Sequence, residues 1–197
     1  MPDYGIYENG TLIARFAAPM IVRPNQPIFG SDTLSLKRTS RRRTAHRWEV
    51  ETNLEPLTMG ANDLFVNMVT RGYTETVTIT VPQNYGVILK RTSVSTPTAV
   101  GDQGATSVTV SGNTGLIPKG TFVRFATHSK VYITTADLTG NGDVGVYPAL
   151  REDVTGTFNH RDDVLMPCFY DLDTIIGMAY VDGILMDNGK VKLIERL

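Results

Sequence analysis

The stretch TLSLKRTSRRRTAHRWEVE, residues Thr33–Glu51, decides the expected fold of this chain. Leu34 and Leu36 alternate with polar residues at its start, and Trp48 and Val50 alternate with charged residues at its end. A period of two is typical of strands that turn one face to a core. The stretch therefore predicts an antiparallel strand pair joined by a basic bend. Trp48, the single tryptophan, is the predicted core anchor.

The basic bend concentrates six positive charges within eleven residues that contain no acid. The six are Lys37, Arg38, Arg41, Arg42, Arg43 and Arg47. Arginine at five of these six positions favours protein contacts, because its planar fork pairs with carboxylates. Phosphates would also attract the cations, but no aromatic residues interleave them as single-strand binding requires. A subunit contact is therefore the favoured interpretation, with nucleic-acid binding and a solvated turn as the alternatives.

One short helix is predicted after the second strand, within NLEPLTMGANDLFVNMVTRGY (residues 53–73). Thr58 is the candidate N-cap, and Arg71 followed by Gly72 suits the C-terminal end. The apolar positions with helical spacing are Leu64, Phe65, Met68 and Val69. We predict that Trp48 packs on this face.

Residues 1–27 are predicted to form an extended N-terminal arm. Pro19, Pro24 and Pro27 argue against regular structure there, because proline removes a donor and restricts the preceding residue. After the helix, Tyr73–Val81 and Gly86–Arg91 are predicted strands, since both are rich in β-branched or apolar residues.

A small β-module is predicted at residues 100–163, after a polar linker over Thr92–Gly104. Four segments have strand character: SVTVSG, TFVRFA, KVYITTADL and DVGVYPAL. Gly, Asn and Pro residues separate these short segments, which indicates a small closed or half-open barrel. Within it, Phe122 and Arg124 should share one face of a strand, and Val123 and Phe125 the other.

The expected fold class is mainly β. It consists of a split β-sandwich or barrel domain (residues 28–95 plus 166–197) with one short helix, and of the inserted small β-barrel module. Strand character returns after the module over Met166–Leu172, Ile175–Met186 and Lys190–Leu197.

The composition is that of a globular protein, with 197 residues, 41% hydrophobic and 20% charged. The net charge of −1 hides an acidic last third that could face the basic bend of a neighbouring copy. Cys168 has no second cysteine to pair with, so we expect a buried apolar residue. No apolar run approaches the ~20 residues of a membrane span, and the N-terminus lacks signal-peptide features. Folding in a cytoplasm is therefore expected.

Catalytic and metal-binding motifs are not evident. His46, His128 and His160 lack ligand spacing, and Arg47 is expected to keep its neighbour His46 neutral. Asp137–Asp143 resembles a calcium loop but lacks the closing glutamate, so a turn is favoured. We therefore expect a non-enzymatic protein with no cofactor and no metal.

The order of two motifs resembles a group of phage tail proteins of the distal-tail-hub type. In that group an R-[ST]-x-x-H-R-W-E strand precedes a PPLT-like helix start, as HRWEVE precedes EPLT here. The segment from GATSVTVSG to VYPALRE (residues 104–152) resembles the small β-module inserted in those proteins. Together these stretches, within residues 33–73 and 104–152, cover nearly half of the chain, whereas the N-terminal arm has no counterpart.

The resemblance implies a structural virion protein of the tail, assembled in the host cytoplasm. Its implied partners are copies of itself in a hexameric ring at the tube end, the tail tube and other baseplate proteins, with no membrane partner. The alternative from another class is a nucleic-acid-binding or polysaccharide-binding β-module.

Overall fold

The computed structural model describes residues 4–32, 38–42, 45–55, 75–161, 164–171, 179–181, 184–187 and 190–197. In chain order the elements are β1 (Gly5–Glu8), β2 (Thr11–Asn25), β3 (Ile28–Asp32), β4 (Arg38–Arg42), β5 (Arg47–Glu55), β6 (Val77–Thr80), α1 (Tyr85–Lys90), β7 (Thr98–Gly101), β8 (Ser107–Ser111), β9 (Leu116–Ile117), β10 (Phe122–Phe125), β11 (Val131–Thr134), β12 (Leu138–Thr139), β13 (Gly142–Tyr147), β14 (Val154–Asn159), β15 (Leu165–Tyr170), β16 (Ala179–Val181), β17 (Ile184–Asp187) and β18 (Lys190–Glu195). The mainly β fold class is confirmed.

Two closed antiparallel barrels of six strands each make up the body of the described chain. The first barrel closes in the order β1-β2-β5-β18-β15-β6, and the second in the order β10-β11-β13-β8-β7-β14. All strands of the second barrel lie between β6 and β15 in sequence, so it is inserted into the first. Each barrel has its own cluster of buried apolar side chains.

The prediction of an extended N-terminal arm is wrong, because β1 and β2 are strands of the first barrel. β2 pairs with β5 on both sides of Pro19, which lies in a register shift between Ala17 and Ile21, and the pairing continues through Pro24. Pro24 lies opposite Trp48, whose backbone N–H points away from β2, to Glu195 on β18. Directly opposite residues of an antiparallel pair point their N–H groups either both toward each other or both away from each other. Because Trp48 points its N–H away from β2, a residue at Pro24 would donate no hydrogen bond to β5, and proline is tolerated there.

The basic segment is a strand rather than a bend between two barrel strands. β4 pairs with β3, from Ile28 opposite Arg42 to Asp32 opposite Arg38. β5 instead pairs with β2 and β18. The first strand of the predicted pair, at Leu34 and Leu36, lies outside the described residues, and both edges of the Trp48 strand β5 are occupied within the barrel.

The second barrel begins and ends with strands that the sequence did not reveal. β7 lies inside the predicted polar linker and buries Ala99, and β14 closes the barrel against β10. The predicted alternation in β10 is confirmed, because Val123 and Phe125 are buried while Phe122 and Arg124 are partly exposed.

The predicted strand over Gly86–Arg91 is a helix instead. Asn84 caps α1, and its side-chain oxygen accepts a hydrogen bond from the backbone N–H of Gly86 at 2.8 Å. Only Val87 of this helix is buried, so it lies on the surface of the protein. The helix predicted from Thr58 to Arg71 falls outside the described residues.

Candidate functional site

A basic hairpin stands apart from both barrels. It consists of β3 and β4, which pair with each other and with no other described strand. All five residues of β3 are exposed, including Ile28 at 58% and Phe29 at 55%. A lone two-stranded hairpin is marginally stable in water, which favours a partner surface for this one.

The basic hairpin combines cationic and apolar side chains. The cross-strand pairs place Arg42 opposite Ile28 and Arg41 opposite Phe29. The Arg38 guanidinium passes over Gly30, where an added Cβ would lie 3.3 Å from Arg38 Nη2. Such a surface can pair with carboxylates through guanidinium forks while it buries apolar area beside them.

The predicted site residues divide between two places. The structure brings Arg38, Arg41 and Arg42 together on β4. Arg47 lies in the first barrel at the start of β5, with Nη2 3.6 Å from Glu49 Oε1. Lys37 and Arg43 fall outside the described residues.

The outer face of the first barrel near Arg47 is neutralised by its own charges. The ion pairs join Arg23, Arg47, Lys190 and Lys192 to Glu49, Glu51 and Asp171. The hydrogen bond with Asp171 raises the pKa of Lys192. This face carries matched charges, whereas β4 carries three arginines, of which Arg38 lies opposite Asp32 and the other two lie opposite apolar residues, so the basic hairpin is the better candidate for an acidic partner.

The second feature is the inter-barrel junction, formed by His46, Trp48, Lys130, Val131 and Glu195. Trp48 is 6% exposed, and its indole Nε1 donates to the backbone oxygen of Val131 at 2.8 Å. Its ring also meets the edge of Phe122, with centroids 5.3 Å apart. These contacts come from the second barrel. The predicted partners of Trp48 on the helix lie outside the described residues.

Glu195 links three strands at the junction. Its side chain is 0% exposed and forms an ion pair with Lys130, itself 4% exposed. Oε1 accepts from the backbone N–H of Val131 at 2.7 Å, and Oε2 from that of Trp48 at 2.9 Å. Burial lowers the pKa of Lys130, and the charge of Glu195 acts in the opposite direction.

Sequence reasoning missed Glu195, although a signal was present. Val191, Leu193 and Glu195 share the buried face of β18 at a period of two. An acid on an otherwise apolar strand face requires a partner, because an unpaired buried charge is very costly. The sequence offered no way to choose Lys130, which is 65 residues away.

His46 is a buried side chain at the junction, 4% exposed. Its Nδ1 lies 3.3 Å from Lys130 Nζ, and its ring stands edge-on to Trp48 and Tyr147, with centroids 4.7 and 5.2 Å away. Burial and the charge of Lys130 lower the pKa of His46 to about 4. Burial and Lys130, rather than Arg47 as predicted, therefore favour the neutral form of His46.

Two cavities border His46, with volumes of about 520 and 270 Å³. Both are also lined by Ala45 and Leu197, and the larger reaches Lys130 and Arg151. Solvent-sized space therefore lies beside a tightly packed imidazole.

Further hydrogen bonds join the two barrels around this junction. Gln83 pairs with the backbone of Phe122, donating at 2.8 Å and accepting at 2.9 Å. Arg124 Nη1 donates to the backbone oxygen of Leu165 at 3.1 Å. The inserted barrel is thus fixed to the first barrel by polar bonds as well as by apolar packing.

The oxygens of the calcium-like loop hold neighbouring segments together. Asp137 accepts from the backbone N–H of Lys119 at 2.7 Å, and Asn141 accepts from that of Asn113 at 2.9 Å. Among the described residues, no group of three His, Cys, Asp or Glu side chains could hold a metal ion. The predicted burial of Cys168 is confirmed, and burial raises the pKa of its thiol.

The arrangement provides a cationic surface on the basic hairpin and a buried polar link between the barrels. Within the described ranges, no helix has the length and apolar character needed to cross a membrane. Neither a protein-family model nor a curated protein matches this chain.

Proposed function

We propose that this protein is a structural, non-enzymatic component of a phage tail that assembles through its basic hairpin. The observation that carries the proposal is a hairpin outside both barrels with arginines beside exposed Ile28 and Phe29. The tail-protein resemblance adds support, because its HRWE motif supplies His46 and Trp48 to the inter-barrel junction.

The proposed partner of the basic hairpin is an acidic surface on a neighbouring copy or on an adjacent tail-tube or baseplate protein. Exposed ion pairs contribute only about 0–1 kcal/mol each, so they do not explain why arginines cluster on an isolated strand. Several cations in a fixed array can instead steer encounter and set register. A contact between two different surfaces of one chain is head-to-tail, and it closes into a ring when the rotation allows. The proposed place of action is a hexameric ring at the tube end of the virion.

A charge-reversal experiment tests this function. We expect Arg41→Glu combined with Arg42→Glu to leave the far-UV circular dichroism and melting temperature unchanged, because Arg41 is exposed and both residues lie on a hairpin that is part of neither barrel. We expect the parent to form an oligomer in sedimentation velocity and rings in electron microscopy, and the double variant to form neither. Rising salt should weaken the parent oligomer as well, since exposed charges are screened.

The matched control is Lys90→Glu combined with Lys119→Glu, which reverses two exposed cations away from the basic hairpin. This control should assemble like the parent. Normal assembly of the Arg41 and Arg42 variant would contradict the proposal.

The second candidate function, a nucleic-acid-binding or polysaccharide-binding module, is favoured by the same row of arginines. It predicts a monomer whose retention on heparin falls when Arg41 and Arg42 are reversed. Retention on heparin that depends on Arg41 and Arg42, in a protein that does not self-associate, would favour the binding-module function over the tail function.

A further inference from the structure

We propose that His46 is an acid-sensitive latch between the two barrels. In its neutral form the imidazole closes the inter-barrel junction, and its protonation opens the junction. This inference concerns the junction alone and holds whatever partner the basic hairpin contacts.

The hydrogen-bond geometry requires a neutral imidazole. Lys130 Nζ lies 3.3 Å from His46 Nδ1, and an ammonium group can only donate. Nδ1 must therefore accept, which puts the ring proton on Nε2. A second proton would place two positively charged donors against each other at this distance, inside a buried contact where screening is weak.

The other groups around His46 do not compensate for such a charge. Trp48 on β5 and Tyr147 at the end of β13 present their rings to it. Arg151, from the turn after β13, lines the same cavity and adds a further cation. Glu195, the carboxylate behind Lys130, already accepts from that ammonium and from two backbone N–H groups.

The cavities next to the ring are the place where a protonated His46 can become solvated. His46 Nε2 is buried without a hydrogen-bond partner, so protonation gives it no compensating bond in place. The two cavities that border the ring, of about 520 and 270 Å³, offer room for water or for a rotated ring. If the His46 ring turns into this space, it loses its contacts with the rings of Trp48 and Tyr147, which loosens the packing of β5 against the second barrel.

The direction of titration agrees with this geometry. The pKa of His46 falls from 6.5 to about 4, first because of burial and then because of Lys130. Opening should therefore develop as the pH falls through this interval. Burial also lowers the pKa of His128, so that side chain is the competing explanation which an experiment must separate.

Trp48 provides the readout, because it is the single tryptophan and lies at the junction. Acidification of the full-length protein should shift its emission to longer wavelength, with a midpoint between pH 6.5 and about 4. Far-UV circular dichroism should keep its β signal at that midpoint, while the radius of gyration in small-angle X-ray scattering increases.

His46→Gln should abolish the emission shift, because the glutamine amide does not titrate and can still accept from Lys130. His128→Gln is the matched control and should retain the shift with the parent midpoint. Three outcomes would overturn the latch: no emission change in the parent over this interval, a shift that persists in His46→Gln, or a shift lost only in His128→Gln.

Nuclear magnetic resonance on the parent protein covers the case in which His46→Gln does not fold. The titration of the His46 ring protons and the response of the Trp48 indole N–H must share one midpoint. Separate midpoints would overturn the latch by themselves.

Discussion

At the scale of single residues, the least replaceable polar group is the carboxylate of Glu195. It is fully buried, and its three donors come from two distant segments: Trp48 on β5, and the neighbouring residues Lys130 and Val131 of the second barrel. A buried ion pair contributes little net stability, but the loss of one partner leaves the other as an uncompensated charge. The pair therefore specifies how the barrels meet more than it strengthens the fold.

Glu195→Gln should lower the free energy of unfolding by about 3–5 kcal/mol, because Lys130 would stay buried without its counter-charge. Urea denaturation followed by circular dichroism measures this change. The added substitution Lys130→Met should recover part of the loss, since it removes the stranded charge. Glu152→Gln, at an exposed carboxylate, is the control and should change stability very little.

Trp48→Ala should cost about 3–5 kcal/mol, as expected for a large aromatic side chain removed from a core. The ring is buried among groups of both barrels, so little can collapse into the space. Leu89→Ala removes a side chain that is 67% exposed and serves as the control. A melting temperature of Trp48→Ala close to that of the parent would refute its role as anchor.

At the scale of elements, the two barrels depend on each other unequally. The core of the second barrel draws only on residues from its own sequence, from Ala99 to Phe158. The core of the first barrel includes Val131 and packs against Phe122 and Ile133, all from the insertion. The inserted barrel thus completes its host, whereas the host does not complete the insertion.

The unequal dependence predicts different outcomes for the two halves. Residues 96–161 expressed alone should fold cooperatively, because their core is complete. A first barrel in which these residues are replaced by a Gly/Ser linker should be much less stable, since Val131 and the partner of Glu195 are lost. The polar linker over Thr92–Gly104 would by itself predict that the remaining domain stays folded, whereas the shared core argues for the opposite outcome. Melting curves of the isolated second barrel and of the linker variant test this prediction. A linker variant as stable as the parent would show that the first barrel does not depend on the insertion.

At the scale of the whole molecule, buried histidines make stability depend on pH. The folded-state pKa of His46 is lowered to about 4, so between that value and 6.5 the unfolded chain binds more protons. The stabilisation from neutral His46 is complete above pH 6.5 and is lost as the pH falls through this interval. His128, whose pKa is also lowered, acts with the same sign.

The expected loss due to His46 is about 3 kcal/mol between neutral pH and the lower end of this interval. Urea denaturation at a series of pH values measures it. His46→Gln should show a shallower pH dependence than the parent. An equal slope in the two proteins would show that His46 has the same pKa folded and unfolded.

Alternation along single strands is enough to predict the strand-rich class, because it is a property of neighbouring residues. Val123 and Phe125 show it in β10, and Trp48 and Val50 show it in β5. The same alternation contained a signal that the sequence analysis did not use, because Glu195 falls on the buried face of β18, where a charge requires a partner.

The choice of neighbouring strands, by contrast, follows from the closure of the two barrels. A period of two assigns faces to a strand but does not identify its neighbour, so the sequence predicts an arm where β1 and β2 complete a closed barrel. The contact of His46 with Lys130 joins residues 84 positions apart, and that of Trp48 with Val131 joins residues 83 apart. Such contacts depend on barrel closure and on the seating of the inserted barrel. Barrel closure and the seating of the inserted barrel reduce the exposed apolar area and the number of unpaired backbone groups of the whole chain. A local pattern of residues cannot predict them, because they depend on all the strands together.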